Sequence, residues 1–493
     1  MGEMIFMLPT GIDAASRHGL ERACLAGGPE SVPWPTLAVV ENDRLVLTRE
    51  IGESGSLHAP WRVDGSGRFM LSSCTLMERA APYRLLVELT RGKLNQVRNQ
   101  SWEWRAAGLE VPNDFGNNLR RAQQSFRTAV AASSPEVADL AAGDALESLS
   151  LSGRSLVQAY VEQVFHLRRD RTEPPTFELG CRYQTRPPAK AEPALATLGK
   201  TATLMFSWKD IEPVPGTFSW EKADELAVWA EESELHLTGG PLIDLGAAGL
   251  PDWIEPGLRD VNQLAKAMCR FTQAVVRRYQ PLIRRWILTR ASNCSSSVQI
   301  TEHAMLWLNL RLAQTVRQVV PDAELVVAIA RPWGDYLAVE DREHSPFVFA
   351  DTLLRSEINL TALEVELIMG LPGRESYLRD LLDTSRLLDY YSLLGAPLRV
   401  TLAYPSRVPA DSKDETVASE GSWQEGATPA GQADWGDSFA ALALCKPYVQ
   451  DVTWICAMDN PTHPLAGCGL CDELGHPKPI VQELGSLERH FKG

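Results

Sequence analysis

The sequence predicts a (β/α)8 barrel over residues 176–493, preceded by a β-rich segment and a helical segment. From residue 177 onward, eight short apolar runs alternate with helical patterns, as strands and helices alternate in a barrel. The length of 493 residues suits one large barrel plus an extension. An open doubly wound sheet is the rival fold, and it is disfavoured because no glycine-rich phosphate loop follows the first run.

Each predicted strand is a short apolar run, and most are separated by segments with a helical period. The predicted strands cover residues 177–183, 202–208, 235–244, 284–291, 323–330, 362–370, 397–404 and 451–459. The predicted helices between them cover residues 220–233, 260–279, 304–320, 377–394 and 433–446. This order favours a barrel with its ligand cleft at the carboxyl ends of the strands.

The part of the chain before the barrel divides into two segments. Residues 1–78 form the predicted β-rich domain, in which an Asn-Asp turn within Leu37–Ile51 predicts a hairpin. A carbohydrate-binding type of sandwich is one interpretation of this domain. Residues 79–170 have a helical period, and 171–176 form a proline-containing linker. The helices are expected either to pack on the outside of the barrel or to mediate self-association.

Composition and charge limit the classes of partner. The net charge of −15 argues against a nucleic-acid-binding protein, which carries a basic surface. No apolar run is long enough for a membrane span, so no membrane partner is expected. Nine scattered cysteines and a start without a basic secretory signal predict reduced thiols and a cytoplasmic location, unless a signal has been processed.

Four motifs in the barrel region carry a family resemblance. They lie at Trp208–Ser233, Gly249–Ile254, Arg278–Trp286 and Gly469–Leu484, on successive parts of the predicted barrel. In this order they resemble the second strand and its helix, the Leu-Pro-Asp-Trp loop, the segment before the fourth strand, and the closing segment of glycoside hydrolase family 10. The resemblance to this xylanase family covers about residues 176–493.

The resemblance implies a retaining glycosidase, which needs two carboxyl groups about 5–5.5 Å apart. The family's acid/base glutamate falls on Ala291, and the asparagine before it falls on Arg290. The nucleophile falls on Leu402, and the second-strand lysine that contacts sugar falls on Ser207. Alanine and leucine can neither transfer a proton nor attack a sugar, so the catalytic pair is predicted to be absent.

Other polar and aromatic residues follow the predicted strands. Weak candidates for a rebuilt catalytic pair are Asp244, Glu366 and Asp459. Candidate ligand-binding residues are Asp244, Arg290, Trp333, Asp335, Tyr404, Asp459 and His463. The alternative interpretation is that these carboxylates form salt bridges with arginines in a polar mouth. Aromatic rings there are candidates for stacking on sugar faces.

Two further features leave alternatives open. Cys468 and Cys471 have the spacing of a zinc half-site, but the second pair is missing, so structural thiols are favoured. We therefore predict no metal and no cofactor. The segment 409–436 is either a lid over the mouth or an irregular excursion.

Three functional hypotheses follow. The leading hypothesis is a carbohydrate-associated protein that binds a polysaccharide or oligosaccharide without the family's hydrolysis. The second is an active glycoside hydrolase that uses relocated carboxylates. The third is a non-enzymatic scaffold, which a blocked mouth without an aromatic platform favours.

Overall fold

The structure is a computed structural model that describes residues 2–28, 31–169, 178–246, 249–255, 259–370, 376–408, 421–424, 426–460 and 467–492. The strands are β1 (Gly2–Met7), β2 (Cys24–Gly27), β3 (Val32–Pro33), β4 (Leu37–Glu41), β5 (Arg44–Arg49), β6 (Gly55–Val63), β7 (Gly67–Leu76), β8 (Tyr83–Arg84), β9 (Glu178–Tyr183), β10 (Thr201–Leu204), β11 (His236–Gly239), β12 (Ile243–Asp244), β13 (Arg285–Arg290), β14 (Glu324–Ile329), β15 (Ala362–Ile368), β16 (Leu398–Ala403), β17 (Ser422–Trp423) and β18 (Val449–Trp454).

The helices begin in the N-terminal domain and recur through the barrel. They are α1 (Ala14–Gly19), α2 (Leu85–Ala106), α3 (Asn113–Ala131), α4 (Pro135–Arg169), α5 (Glu192–Leu195), α6 (Trp208–Ile211), α7 (Glu221–Glu232), α8 (Val261–Tyr279), α9 (Glu302–Val319), α10 (Pro346–Arg355), α11 (Leu381–Ser392), α12 (Pro429–Cys445) and α13 (Pro479–Lys492).

The predicted barrel is confirmed. Its parallel strands follow the order β11-β10-β9-β18-β16-β15-β14-β13-β12, and β11 also pairs with β13. Since β11 and β12 are two halves of one strand, the sheet closes on itself with eight strands, here called staves. In chain order the first to the eighth stave are β9, β10, β11–β12, β13, β14, β15, β16 and β18. The rival open sheet is therefore wrong, and the carboxyl ends of all strands meet at one mouth.

Local sequence signals explain why the barrel helices begin where they do. Asp260 accepts hydrogen bonds from two backbone N–H groups at the start of α8. Thr301 caps α9, and Asp380 caps α11 in the same way. Each cap satisfies an amide that the first turn leaves without an intrahelical partner. These caps place the start of each helix close to the mouth.

The β-rich segment and the helical segment are both present. The β-rich segment contains a sheet of order β4-β5-β1-β8 and a second of order β17-β7-β6-β2-β3. The predicted hairpin is β4–β5, and Asn42 turns it with a φ of 51°. Helices α2, α3 and α4 pack together, and α4 also contacts α11 and α12 of the barrel.

The strand β17 belongs to the N-terminal sheet although it follows the seventh stave of the barrel. It pairs antiparallel with β7 through Ser422–Arg68 and Trp423–Gly67. Gly67 has a φ of 128°, and a Cβ there would lie 2.0 Å from the carbonyl oxygen of Ser422. Only glycine permits this approach, so the barrel and the N-terminal domain share a sheet.

Charged contacts attach the helical segment to the barrel. Lys93 of α2 is buried and forms an ion pair with Asp380, and Gln96 Nε2 donates to Asp383 at 2.5 Å. Lys446 of the barrel is also buried, and its Nζ lies 5.7 Å from the ring centre of Trp104 in α2. Lys93 and Gln96 of α2 therefore lie at the contact between the helical segment and the barrel.

The helices α10 and α13 and the strand β17 were not among the predicted elements. All nine cysteines lie in the described part of the chain, and none forms a disulfide. A search of the described helices finds none with the length and hydropathy needed to cross a membrane. The linker 171–176 lies outside the described residues.

Candidate binding site at the barrel mouth

Charged side chains fill the middle of the barrel lumen. Along β15, Leu363, Val365 and Leu367 join the main hydrophobic core between sheet and helices. Because side chains alternate along a strand, Glu364 and Glu366 point into the lumen. Both are fully buried, so their charges must be compensated by neighbouring strands.

Arg182 of β9 provides part of that compensation. It forms an ion pair with Glu364, and its Nη1 lies 3.2 Å from Glu366 Oε1. Thr401 of β16 donates to Glu364 at 3.0 Å. Arg182 was not among the predicted site residues, although its position between Cys181 and Tyr183, which both pack outward, is the signal that places it in the lumen.

Arg399 extends the same network toward the amino ends of the strands. Its Nε lies 3.9 Å from Glu364, and its Nη1 lies 2.8 Å from Asp451 Oδ2. Arg399 Nη1 and Asp451 Oδ2 form an ion pair but not a hydrogen bond, and neither atom has another hydrogen-bond partner among the described residues. Burial raises the pKa of Asp451 to about 6, against the opposing effect of Arg399.

At the mouth, Arg290 joins two of the candidate carboxylates. Its Nε donates to both oxygens of Glu366, at 3.0 and 2.8 Å. Its Nη1 lies 3.5 Å from Asp244 Oδ1. Asp244 also accepts from the N–H of Gly246 at 2.8 Å, and its side chain is 30% exposed. The structure therefore brings Asp244, Arg290 and Glu366 together in a salt-bridge cluster.

Ala291 ends the fourth stave in a left-handed conformation, with a φ of 57°. It is buried in a small apolar cluster with Cys294, Ala330, Tyr336 and Leu337. Val32 of β3 packs against this cluster from the N-terminal domain. The N–H of Thr36 also donates to the carbonyl of Ala338 at 2.9 Å. The N-terminal domain thus lies over this part of the mouth.

The seventh stave ends in apolar residues. Leu402 belongs to the main core between sheet and helices. Ala403, the next residue, faces the lumen and packs with Ile368, Ile455 and Cys468. The lumen-facing position at this strand end is therefore occupied by alanine, and the segment that carries Cys468 closes over it.

Asp459 follows the eighth stave and is held inside the protein. Lys478 Nζ lies 2.8 Å from Asp459 Oδ2, and the N–H of Gly469 donates to Asp459 Oδ1 at 2.7 Å. Its partners are thus structural groups of its own segment. Among the described residues, Asp459 forms no hydrogen bond or ion pair with Asp244 or Glu366. His463 lies outside the described residues.

Trp333 and Asp335 follow the fifth stave. Arg379 donates to Asp335 Oδ1 at 2.6 Å, and its guanidinium carbon lies 5.4 Å from the Trp333 ring centre. His58 of β6 is buried near this pair, and burial, together with Arg379, lowers the pKa of His58 to about 4. The N-terminal domain therefore lies next to this charged cluster through His58.

Tyr404 is buried at the end of the seventh stave. Its ring stacks on Trp435 at 5.3 Å, and its hydroxyl oxygen accepts from the N–H of Trp423 at 2.9 Å. Trp208 is likewise buried, and its Nε1 donates to Glu212 at 2.7 Å. Both rings serve packing here, and Trp333 alone of these aromatic candidates is partly exposed.

The geometry of the strands and the mouth defines the architectural class of this protein but not its reaction. It is a closed (β/α)8 barrel with charged side chains in its lumen and an extra domain seated on its mouth. Such a mouth is where enzymes of this architecture bind their ligands, but fold alone does not assign an activity.

Sequence comparison confirms the resemblance on part of the barrel. Residues 201–289, from β10 to β13, match the model of glycosyl hydrolase family 10. No curated protein sequence matches the chain.

Similar solved structures are xylanases. Native xylanase 10B from Thermotoga maritima is 14% identical, with a TM-score of 0.46 over 68% of this chain and 99% of that chain. Xylanase 10B from Thermotoga petrophila RKU-1, in complex with xylobiose, is 13% identical, with a TM-score of 0.47 over 68% and 97%. A Thermobacillus composti xylanase is 16% identical, with a TM-score of 0.44 over 66% and 99%.

Proposed function

We propose that this protein is carbohydrate-associated and that its barrel does not perform the two-carboxylate hydrolysis of the xylanase family. The observation that carries the proposal is the contact of Val32 with the cluster around Ala291. A retaining glycosidase needs open space and a carboxyl group at this strand end. Here the side chain is a methyl group, and a valine from another domain packs against its cluster.

The second strand end supports the same conclusion. The family's nucleophile aligns with Leu402, which packs toward the helices, while Ala403 faces the lumen. Neither side chain can attack an anomeric carbon. The carboxylates nearest to them, Glu364 and Glu366, are buried and paired with arginines. A substrate has no access to these oxygens without breaking the ion pairs.

A polysaccharide or oligosaccharide is the proposed ligand, because the match over residues 201–289 is to a sugar-cleaving family. Asp244 and Trp333 are both partly exposed at the mouth. An acidic group accepts hydrogen bonds from sugar hydroxyls, and an indole face packs on apolar sugar faces. These two residues are therefore the proposed contacts.

The test combines hydrolysis and binding on one panel of plant, algal and microbial polysaccharides. Reducing-end release and retention on each insoluble polymer are measured for wild type, Asp244→Asn and Trp333→Ala. The matched control is Asp322→Asn, whose exposed carboxylate pairs with Arg284 away from the mouth. We expect no release, and retention that weakens in the two mouth variants alone. Release that disappears in Asp244→Asn overturns the proposal.

An active hydrolase with relocated carboxylates is a second candidate. The observation that favours it is the bonding of Asp244 and Glu366 to the same guanidinium, that of Arg290. A rebuilt catalytic pair would need a carboxyl separation of about 5–5.5 Å for a retaining enzyme or about 6.5–9.5 Å for an inverting one. Release that persists in Asp244→Asn but disappears in Asp459→Asn assigns activity to the eighth stave instead.

Self-association through the helical segment is a further proposal for this protein. Trp102 of α2 is 73% exposed, and Leu140 of α4 is 71% exposed. Large apolar side chains in water mark possible contact surfaces. Sedimentation of wild type and of Trp102→Ser at several concentrations tests it. A monomer at every concentration contradicts self-association.

A further inference from the structure

We propose that Glu302, Glu343 and His344 bind a divalent transition-metal ion, for which Zn²⁺ is the best fit. This site is independent of the proposed function, because its ligands do not include any of the proposed sugar contacts. The sequence predicts no metal, because Cys468 and Cys471 lack a clean second pair of ligands.

Two separate loops of the mouth bring the three residues together. Glu302 is the first residue of α9, after the fourth stave, and Glu343 and His344 precede α10, after the fifth stave. One possible ligand atom from each residue lies within 4.8 Å of the other two. Among the described residues, this is the one group of three or more acidic, histidine or cysteine side chains that reaches such proximity.

Glu302 supplies an independent reason to expect a cation. Its side chain is only 10% exposed, and its Oε2 lies 2.6 Å from His344 Nδ1. Its other oxygen, Oε1, is buried and has no hydrogen-bond partner in the described part of the chain. A buried polar atom without a partner is destabilising, and more so when it is charged. A bound cation would remove that cost.

The donor set suits zinc. Zinc binds imidazole nitrogen and carboxylate oxygen, and sites with three protein ligands keep a fourth position for water or another ligand. The neighbouring positive charge is already neutralised, because Arg342 pairs with Glu340 at 2.7 Å and donates to the carbonyl of Ser295 at 2.8 Å. Glu343 is exposed, so the open position faces solvent.

An ion here would join the loops that follow the fourth and fifth staves. Asn293 links the same loops, since its Nδ2 donates to the carbonyl of Ala330 at 2.8 Å and to the hydroxyl of Tyr336 at 3.2 Å. Tyr336 belongs to the Ala291 cluster on which Val32 packs. The metal therefore would stabilise the surface on which the N-terminal domain is seated.

The test is calorimetric titration of Zn²⁺ into the full chain after treatment with a chelator. We expect one ion per chain in wild type and at least about tenfold weaker binding in Glu343→Gln and His344→Gln. Glu343 is exposed, so its variant leaves the fold intact. The matched control is His476→Gln, because His476 has a carboxylate partner at 2.8 Å but no third ligand in the described residues.

The nine cysteines offer competing sites, and Co²⁺ separates them from the proposed one. Cobalt bound to thiolate shows intense charge-transfer absorption, whereas cobalt bound to nitrogen and oxygen does not. We expect a weak visible spectrum that is lost in Glu343→Gln. No saturable binding, equal affinity in Glu343→Gln and wild type, or a thiolate spectrum each overturns the proposal.

Discussion

Arg290 Nε lies 2.8 Å from Glu366 Oε2, and the two side chains join the fourth and sixth staves inside the barrel. This pair belongs to a chain of alternating charges that runs from Asp244 to Asp451 through Arg182, Glu364 and Arg399. A TIM barrel more often fills its lumen with branched apolar side chains. Ion pairs in this position make the barrel sensitive to the loss of any one member.

Arg290→Met is expected to lower the free energy of unfolding by about 3–5 kcal/mol, because it leaves Glu366 buried with one arginine fewer. Urea-induced unfolding of wild type, Arg290→Met, Glu366→Gln and the double variant measures the coupling between the two residues. The control is Arg284→Met, which breaks an exposed pair with Asp322 and costs less than about 1 kcal/mol. Equal losses at both arginines would contradict the prediction.

Asp437 of α12 is expected to destabilise the protein at neutral pH. Burial, reinforced by Glu483 and Asp434, raises the pKa of Asp437 to about 6. Relative to the unfolded chain, the protonated Asp437 carboxyl group favours the folded protein. This contribution to the free energy of unfolding is present below about pH 4 and is lost as the pH rises through about 6. Asp437→Asn should therefore be more stable than wild type at pH 7, by roughly 1 kcal/mol after allowing for solvent screening.

Thermal unfolding of Asp437→Asn and wild type from pH 4 to pH 7 checks this difference. The curves should converge at the acid end, where the wild-type carboxyl group is protonated. Asp64→Asn, at an exposed turn, serves as the control and should follow wild type throughout. A difference that grows toward low pH has the wrong sign and would exclude the explanation.

His58 is expected to make the protein less stable in acid. Its pKa is lowered to about 4 by burial and by Arg379, with Asp335 opposing. The unfolded chain takes up a proton below about pH 6.5, while the folded protein resists it. Stability is thus present above pH 6.5 and is lost as the pH falls toward 4, on the order of 2–3 kcal/mol.

Replacing His58 by glutamine should make the free energy of unfolding depend less on pH between pH 7 and pH 4. Equilibrium unfolding of His58→Gln between pH 7 and pH 4 measures the effect. His236→Gln is the matched control, since His236 is exposed and lies 3.6 Å from Glu178. Identical slopes for His58→Gln and wild type would show that His58 does not account for acid sensitivity.

Lys446 is expected to anchor the helical segment. Its Nζ lies 5.7 and 5.2 Å from the ring centres of Trp104 and Tyr160, and it pairs with Asp389. Lys446→Met keeps the packing volume but removes a buried charged donor, which should cost about 1.5–3 kcal/mol. Hydrogen exchange of α2 and α4 measures the loosening. Lys209→Met, which breaks an exposed pair with Asp252, should leave that exchange unchanged.

The barrel was predictable because each stave is buried on both faces and is therefore a short, continuous apolar run. Such runs are easily distinguished from the segments between them, in which apolar residues recur with a helical period. The helix caps Asp260 and Thr301 lie near the predicted helix starts, because Asp and Thr are residue types that commonly cap helices. The helix α10 was missed, although Ser345 and Pro346 form a good start signal. It was missed because its ten residues are flanked by polar loops.

The candidate site was only partly predictable. The placement of Glu364 and Glu366 on one face follows from alternation, and salt bridges to Arg290 were one of the interpretations. Asp335, however, pairs with Arg379, which no pattern indicated. The packing of Val32 against the Ala291 cluster could not be predicted either. Docking of one domain on another depends on surface shape and leaves no periodic signal in the sequence.

The two-residue strand β17 has a consequence for synthesis on the ribosome. The sheet that contains β7 is made among the first residues of the chain, but its edge partner, Ser422–Trp423, emerges only after seven of the eight staves. Until then the β7 edge offers unpaired backbone groups to any neighbouring strand. The nascent N-terminal domain therefore remains a target for chaperones, or for mispairing with another nascent chain, for most of its translation.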